Sequence, residues 1–326
     1  MTMKAIVNTA PGRVEWKDWP TPEPRAGQVR IRTAACGVCA TDLEMIAGWS
    51  RTAVPAIPGH EWAGFVDAAG PGADPTLVGR PCVAENVLAD GGEVGFEHPG
   101  GYGEYFLTEA ANVHALPADF PLAVATLIEP LAVCVRALRR LRLQDRSAAL
   151  ILGDGPIGLL TLLLLKAERV RRVVLVGGRP ARLAVARQLG ADETLNYHEA
   201  GADLAAAILP SSAAAFPNII EASGSPDAMR AGLDVTALGG KILAIGDYGP
   251  SRADFPWNRL LHRELELIGS NASAGAWPEA VRLAAGRTVP LEPLVSRRLP
   301  AASFAEAIEL ARTARDVIKV VMEWTQ

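Results

Sequence analysis

The chain has 326 residues, of which 49% are hydrophobic and 21% charged, with a net charge of −4. That length calls for about two domains with a sizeable core, and the acidic excess speaks against nucleic acid or an anionic membrane surface as a partner, since both usually select basic chains. Four cysteines, Cys36, Cys39, Cys82 and Cys134, are too few for a disulfide framework at this size, so a reducing, cytoplasmic setting is expected.

Near the start, the apolar run Ala5 to Val7 is too brief for a signal-peptide core. The longest apolar run, Leu159 to Leu165, falls well short of the roughly 20 residues of a membrane span and reads as a buried crossover helix. Residues 1–121 hold short β-like runs such as Val29 to Thr33 and Phe65 to Ala68, separated by Pro/Gly turns, which predicts an antiparallel β-rich unit. From 122 to 271 the rhythm becomes strand, helix, strand. Ala148 to Leu152, Ile157 to Ala167, Val173 to Val176 and Pro180 to Leu189 open it, and strand-like runs follow at Ile219 to Glu221, Lys241 to Ile245 and Leu265 to Ile268. That alternation predicts a doubly wound parallel sheet, an α/β fold. The tail, 272–326, offers a helix at Ala301 to Ala311 and the run Val317 to Val321, and is expected to pack back on the first unit.

Three phrases carry metal-binding residue types: Cys36-Gly37-Val38-Cys39-Ala40-Thr41-Asp42, Gly59-His60-Glu61 and Ile128-Glu129-Pro130-Leu131. A thiolate from Cys39, an imidazole from His60 and a carboxylate from Glu129 suit one zinc ion. Three protein ligands leave the fourth position open for water or substrate. Cys36 and Cys39 also spell C-x-x-C, which by itself fits redox chemistry or half of a structural zinc site, and no second C-x-x-C completes such a site.

The loop Gly153-Asp154-Gly155-Pro156-Ile157-Gly158 follows an apolar run and opens a predicted helix, the context that a dinucleotide fingerprint requires. Gly153 serves the tight turn, Gly155 the approach of backbone to a pyrophosphate, and Gly158 close helix-to-sheet packing. With Pro156 and Ile157 these residues form the predicted cofactor loop, at a helix N-terminus whose free N–H groups attract phosphate. After Val176 the chain reads Gly177-Gly178-Arg179-Pro180, without the Asp or Glu that accepts the ribose hydroxyls of NAD. Arg179 offers a charge-assisted partner for a 2′-phosphate, so NADP is expected over NAD. The alternative is that Arg179 is one more solvated arginine, like Arg171 and Arg172.

Cys39-Ala40-Thr41-Asp42, Gly59-His60-Glu61, Glu129-Pro130-Leu131-Ala132 and Gly153 to Gly158, with Glu221-Ala222-Ser223-Gly224 and Ile318-Lys319-Val320-Val321, resemble the zinc-dependent medium-chain dehydrogenase/reductase family over essentially the whole chain. The resemblance implies a β-rich GroES-like catalytic domain (1–121 and 272–326) and a Rossmann domain (122–271). It implies that Cys39, rather than Cys36, is the ligand. Asp42 would orient His60 through its other ring nitrogen, Glu61 would alternate with water or Glu129 at the metal, and Thr41 would relay the hydroxyl proton. The phrase around Glu129 is similar to that of the sorbitol and polyol dehydrogenases, and the Gly-Gly-Arg-Pro turn to that of NADP-dependent secondary alcohol dehydrogenases.

Two departures stand out. Pro81 to Gly103 contains only Cys82, where many members carry four cysteines around a second zinc, so one zinc per chain is expected. Glu44 stands where a proton-passing His is frequent, and is either its substitute or a plain surface carboxylate. The implied activity is hydride transfer between a secondary alcohol (polyol, sugar or cyclitol-like) and NADP. Its rivals are a zinc-free quinone or enone reductase of the same fold and a non-catalytic NADP sensor. The apolar run Leu265 to Ile268, at a predicted sheet edge, implies with the resemblance a homodimer or homotetramer.

Overall fold

The structure, a computed structural model, describes residues 1–201, 203–209, 215–252 and 254–324. It divides into two compact units, Met1–Glu129 with Trp277–Gln326, and Pro130–Ala276.

The first unit opens with the hairpin β1 (Thr2–Ala10) and β2 (Arg13–Pro20), followed by β3 (Gln28–Gly37), α1 (Ala40–Ala47), β4 (Trp62–Ala69), β5 (Pro81–Ala84), β6 (Tyr105–Glu109), β7 (Val113–Ala115) and α2 (Leu122–Ala125). In β3 the period of two is plain: Val29, Ile31, Thr33 and Ala35 are buried, whereas Gln28, Arg30 and Arg32 between them are half-buried. Val29 and Ile31 join Ile6, Trp62, Phe106 and Met322 in one core, and Ala35 packs with Ala123 and Val321.

The second unit begins within α3 (Ile128–Leu141) and continues through β8 (Ala148–Leu152), α4 (Pro156–Ala167), β9 (Arg172–Gly177), α5 (Pro180–Gln188), β10 (Glu193–Asn196), α6 (Leu204–Ile208), β11 (Phe216–Glu221), α7 (Pro226–Val235), β12 (Thr236–Ala244), α8 (Trp257–His262) and β13 (Glu266–Gly269). All six strands are parallel, in the order β10-β9-β8-β11-β12-β13. Successive connections run outward in opposite directions from β8, so the crevice at the carboxyl ends of β8, β9 and β11 is where such a sheet takes a ligand. A strand covered on both faces needs an unbroken apolar run, and Ala149 to Leu152 are all buried.

The chain then returns to the first unit as α9 (Trp277–Ala285), β14 (Val295–Pro300), α10 (Phe304–Thr313) and β15 (Lys319–Glu323). β15 pairs antiparallel with β3 and completes the sheet β14-β15-β3-β4-β5-β7, with β6 also on β3. The borders lie at 129/130 and 276/277 rather than at 121/122 and 271/272. Packing explains the shift: α2 lies against β3, β4, β14 and β15, and α9 against β7. Among the described residues no helix is long and apolar enough to cross a membrane.

Leu150 lies fully buried at the centre of the parallel sheet. Leu150→Ala is expected to cost about 2–5 kcal/mol through lost burial and a residual cavity. Urea unfolding followed by circular dichroism measures that loss.

Candidate active site

The site in the first unit is built around α1. Its N-cap is Cys39, whose backbone N–H donates to Asp42 Oδ2 at 2.8 Å, and Gly48 closes the helix in the left-handed conformation with φ 104°. Capping fixes the thiol at the first turn of the helix. Thr41 Oγ1 lies 3.7 Å from Cys39 Sγ. Asp42 is fully buried; beyond the cap, its Oδ2 receives the Tyr102 hydroxyl at 3.5 Å, and its Oδ1 lies 3.2 Å from His60 Nδ1. This last pair is too misaligned for a proper hydrogen bond, so both atoms are buried without one. His60 is held from the other side too. Asn86 donates to its carbonyl at 2.8 Å while accepting from Trp62 Nε1 at 3.1 Å, and Phe96 packs on its ring with centroids 4.8 Å apart.

Ligand atoms of Cys39, His60 and Glu61 all lie within 4.8 Å of one another. Glu129, the carboxylate singled out in the sequence, stands outside that trio, yet it feels His60, Glu61 and Lys319 electrostatically. Burial first, with Glu61 and Glu93 adding to it, raises its carboxyl to about 7 against the opposing pull of His60 and Lys319. Glu61 is already engaged: Lys319 Nζ reaches both its oxygens, at 2.7 and 2.6 Å, in a pair almost wholly buried. Burial alone would lower the His60 pKa, but the charges of Asp42 and Cys39 prevail and raise it well above the usual range. Glu44, by contrast, lies on the exposed face of α1.

Phe96 and Glu97, in the lobe Pro81 to Gly103, and Arg51, which precedes it in the chain, carried no sign in the sequence. Arg51 donates to Glu97 Oε1 at 2.8 Å and to Glu93 Oε1 at 2.7 Å, with its guanidinium 4.4 Å from the Phe96 ring centre. This clasp holds the lobe where cysteines are missing. Cys36 and Cys82 are buried, and burial pushes Cys82 up to about 12.

In the second unit, Gly153 adopts φ 125°, and a Cβ there would meet the Ala222 backbone at 2.9 Å. Gly158 is tighter still: its Cβ would lie 2.0 Å from Gly153 O. A Cβ on Gly155 would meet nothing within 4 Å, which leaves that side of the backbone open to a ligand at the start of α4, where Pro156 occupies the first turn and Ile157 follows. A cavity of about 520 Å³ continues from this loop past Gly177, Gly178, Arg179, Arg182, Tyr197 and Ser223. The two glycines are explained by their neighbours. A Cβ on Gly177 would lie 2.5 Å from Asp154 Cβ, and one on Gly178 would lie 2.4 Å from the Tyr197 ring. An aspartate introduced at position 177 would therefore collide with Asp154. Asp154, Arg182 and Tyr197 went unread in the sequence; a charged residue inside the glycine loop was the available sign for the first.

The donors fit zinc, a borderline ion that accepts sulfur, nitrogen and oxygen together, and the open Gly155 backbone fits a pyrophosphate. Known proteins agree. Residues 25–118 match the alcohol dehydrogenase GroES-like domain and residues 156–286 the zinc-binding dehydrogenase domain. Galactitol 1-phosphate 5-dehydrogenase of Escherichia coli is 29% identical over 96% of this chain and 97% of its own, and sorbitol dehydrogenase of Rattus norvegicus is 28% identical over 94% and 92%. The crystal structure of galactitol-1-phosphate dehydrogenase from Escherichia coli superposes with a TM-score of 0.88 at 28% identity, covering 98% of this chain and 100% of that one. The chain belongs to the zinc-dependent medium-chain alcohol and polyol dehydrogenase family. It is thus an enzyme of alcohol–ketone oxidoreduction acting on small molecules.

Cys39 is the one cysteine that is not buried. In chelator-treated protein iodoacetamide is expected to modify Cys39 well before Cys36, Cys82 or Cys134, and added zinc to suppress that reaction. Peptide mass spectrometry reads both outcomes.

Proposed function

We propose that the enzyme interconverts a polyol-like secondary alcohol and the matching ketone, using one zinc per chain and preferring NADP to NAD. The observation that carries this reading is the meeting of Cys39, His60 and Glu61 within 4.8 Å in a buried, acidic surround. We take Cys39, His60 and Glu129 as the ligands. Glu61, tied at both oxygens to Lys319, is their exchange partner. Zinc held by these residues would supply Lewis-acid chemistry toward a hydroxyl or carbonyl, and a nicotinamide held at the glycine loop would supply the hydride acceptor or donor. Asp42 orients His60, and Thr41, whose hydroxyl both donates and accepts, holds and passes the substrate proton. Glu44, exposed on α1, is a surface carboxylate in this scheme.

The preference for NADP rests on charge. Arg179 and Arg182 both line the nucleotide cavity; burial first, then the charge of Arg179, lowers Arg182 to about 10. A 2′-phosphate would relieve that repulsion. The polyol class rests on the named relatives, one acting on a phosphorylated polyol and one on sorbitol. β13, an edge strand that includes the half-exposed Ile268, supports a homodimer or homotetramer, and the four free cysteines support a cytoplasmic setting.

The test is a screen of polyols, polyol phosphates and simple secondary alcohols with NADP and NAD, following nicotinamide absorbance, with zinc counted by elemental analysis. Full turnover in zinc-free protein would overturn the reading. Arg179→Ala is expected to weaken NADPH binding by about 1.5–3 kcal/mol, more than about tenfold, and to leave NADH nearly unchanged.

A further inference from the structure

Asp154 is an unusual residue for its place. It stands inside the glycine loop and is only 9% exposed, yet it is a carboxylate beside the nucleotide cavity. Its Oδ2 accepts two backbone N–H groups from the opposite turn, Gly178 at 3.0 Å and Arg179 at 2.8 Å. Its side chain fills the volume that a side chain at the end of β9 would take, since a Cβ on Gly177 would meet Asp154 Oδ2 and Cγ at 2.5 and 2.6 Å. The end of β9 is where NAD-binding sheets of this order carry their acidic residue. Here the acid is delivered from β8, across the crevice.

The two oxygens are differently engaged. Oδ2 is occupied by the two amides, whereas Oδ1 faces the Arg182 guanidinium at 3.9 Å, beyond hydrogen-bonding distance. An oxygen so disposed can accept a ribose hydroxyl, as the missing acid at the end of β9 would. The same charge opposes the dianionic 2′-phosphate of NADP, which Arg179 and Arg182 attract.

We infer that Asp154 is a specificity-determining residue for the nucleotide: it accepts an adenosine ribose hydroxyl and thereby keeps NAD(H) in use against the pull of Arg179 and Arg182. The inference rests on the dinucleotide reading of this loop. It stands independently of whether Arg179 contacts the 2′-phosphate.

The test is Asp154→Asn in the zinc-loaded enzyme. An amide oxygen can still accept from Gly178 and Arg179, so the turn is kept while the charge is lost and an acceptor becomes a donor. Dissociation constants of NADH and NADPH, measured by nicotinamide fluorescence, are the readout, with Arg179→Ala run beside it. The NADPH-over-NADH affinity ratio is expected to rise by about tenfold or more, through weaker NADH and tighter NADPH binding. A ratio within about twofold of the parent, or equal weakening of both nucleotides, overturns the inference and leaves Asp154 as a brace for the turn. A response in Asp154→Asn with none in Arg179→Ala would keep the inference and remove Arg179 from the preference for NADP.

Discussion

The carboxylate of Asp42 is the constraint on which the catalytic unit turns. Cys39 and His60 lie on segments 21 residues apart, and a metal site needs them held to within a few tenths of an ångström. Asp42 joins them with two oxygens. One caps α1 at Cys39 and the other faces the His60 imidazole, while Tyr102 closes the group from the lobe. A buried carboxylate needs donors, and Oδ2 has two, the Cys39 amide and the Tyr102 hydroxyl, the first of which also fixes where the thiol can be.

Charge balance around that core is deliberately incomplete. Lys319, arriving on β15 from the end of the chain, neutralises Glu61, but Cys39, Asp42 and Glu129 remain as further acidic groups around His60. The charges of Asp42 and Cys39 raise the proton affinity of His60, whereas burial first, with Glu61 and Glu93, raises that of Glu129. With a divalent cation present those protons have a competitor, which is the physical sense of a site that is acidic, buried and short of positive charge.

Close packing of small residues lets the shortened lobe reach the site. A Cβ on Gly95 would lie 2.6 Å from the Gly59 backbone, and one on Gly100 would lie 2.3 Å from Gly59 O, so the lobe crosses directly over the residue before His60. Arg51 then pins Glu93 and Glu97 and stacks on Phe96, which also meets the His60 and Trp49 rings. Arg51, Glu93, Glu97 and Phe96 thus form an ionic and aromatic clasp on this lobe. In the second unit a comparable economy operates, with Asp154 and Tyr197 filling the space that glycines leave at the end of β9.

Much of this was legible in the amino-acid order. The switch from a period of two to alternating strands and helices marked both architectures, because buried parallel strands need continuous apolar runs and half-buried antiparallel ones do not. Gly153 and Gly158 were readable because backbone geometry demands them, and Cys39, His60 and Glu129 stood out as candidates because few residue types can bind zinc. Tertiary structure alone decided the rest. It put Glu61 beside Cys39 and His60, tied it to a lysine 258 positions away, and left Glu129 outside the tight trio. It moved the unit borders, since α2 and α9 are assigned by what they pack against. It also filled the space at Gly177 with an acid from another strand, a contact between loops whose proximity no local pattern encodes, because local patterns report the preferences of a segment and not the company it keeps.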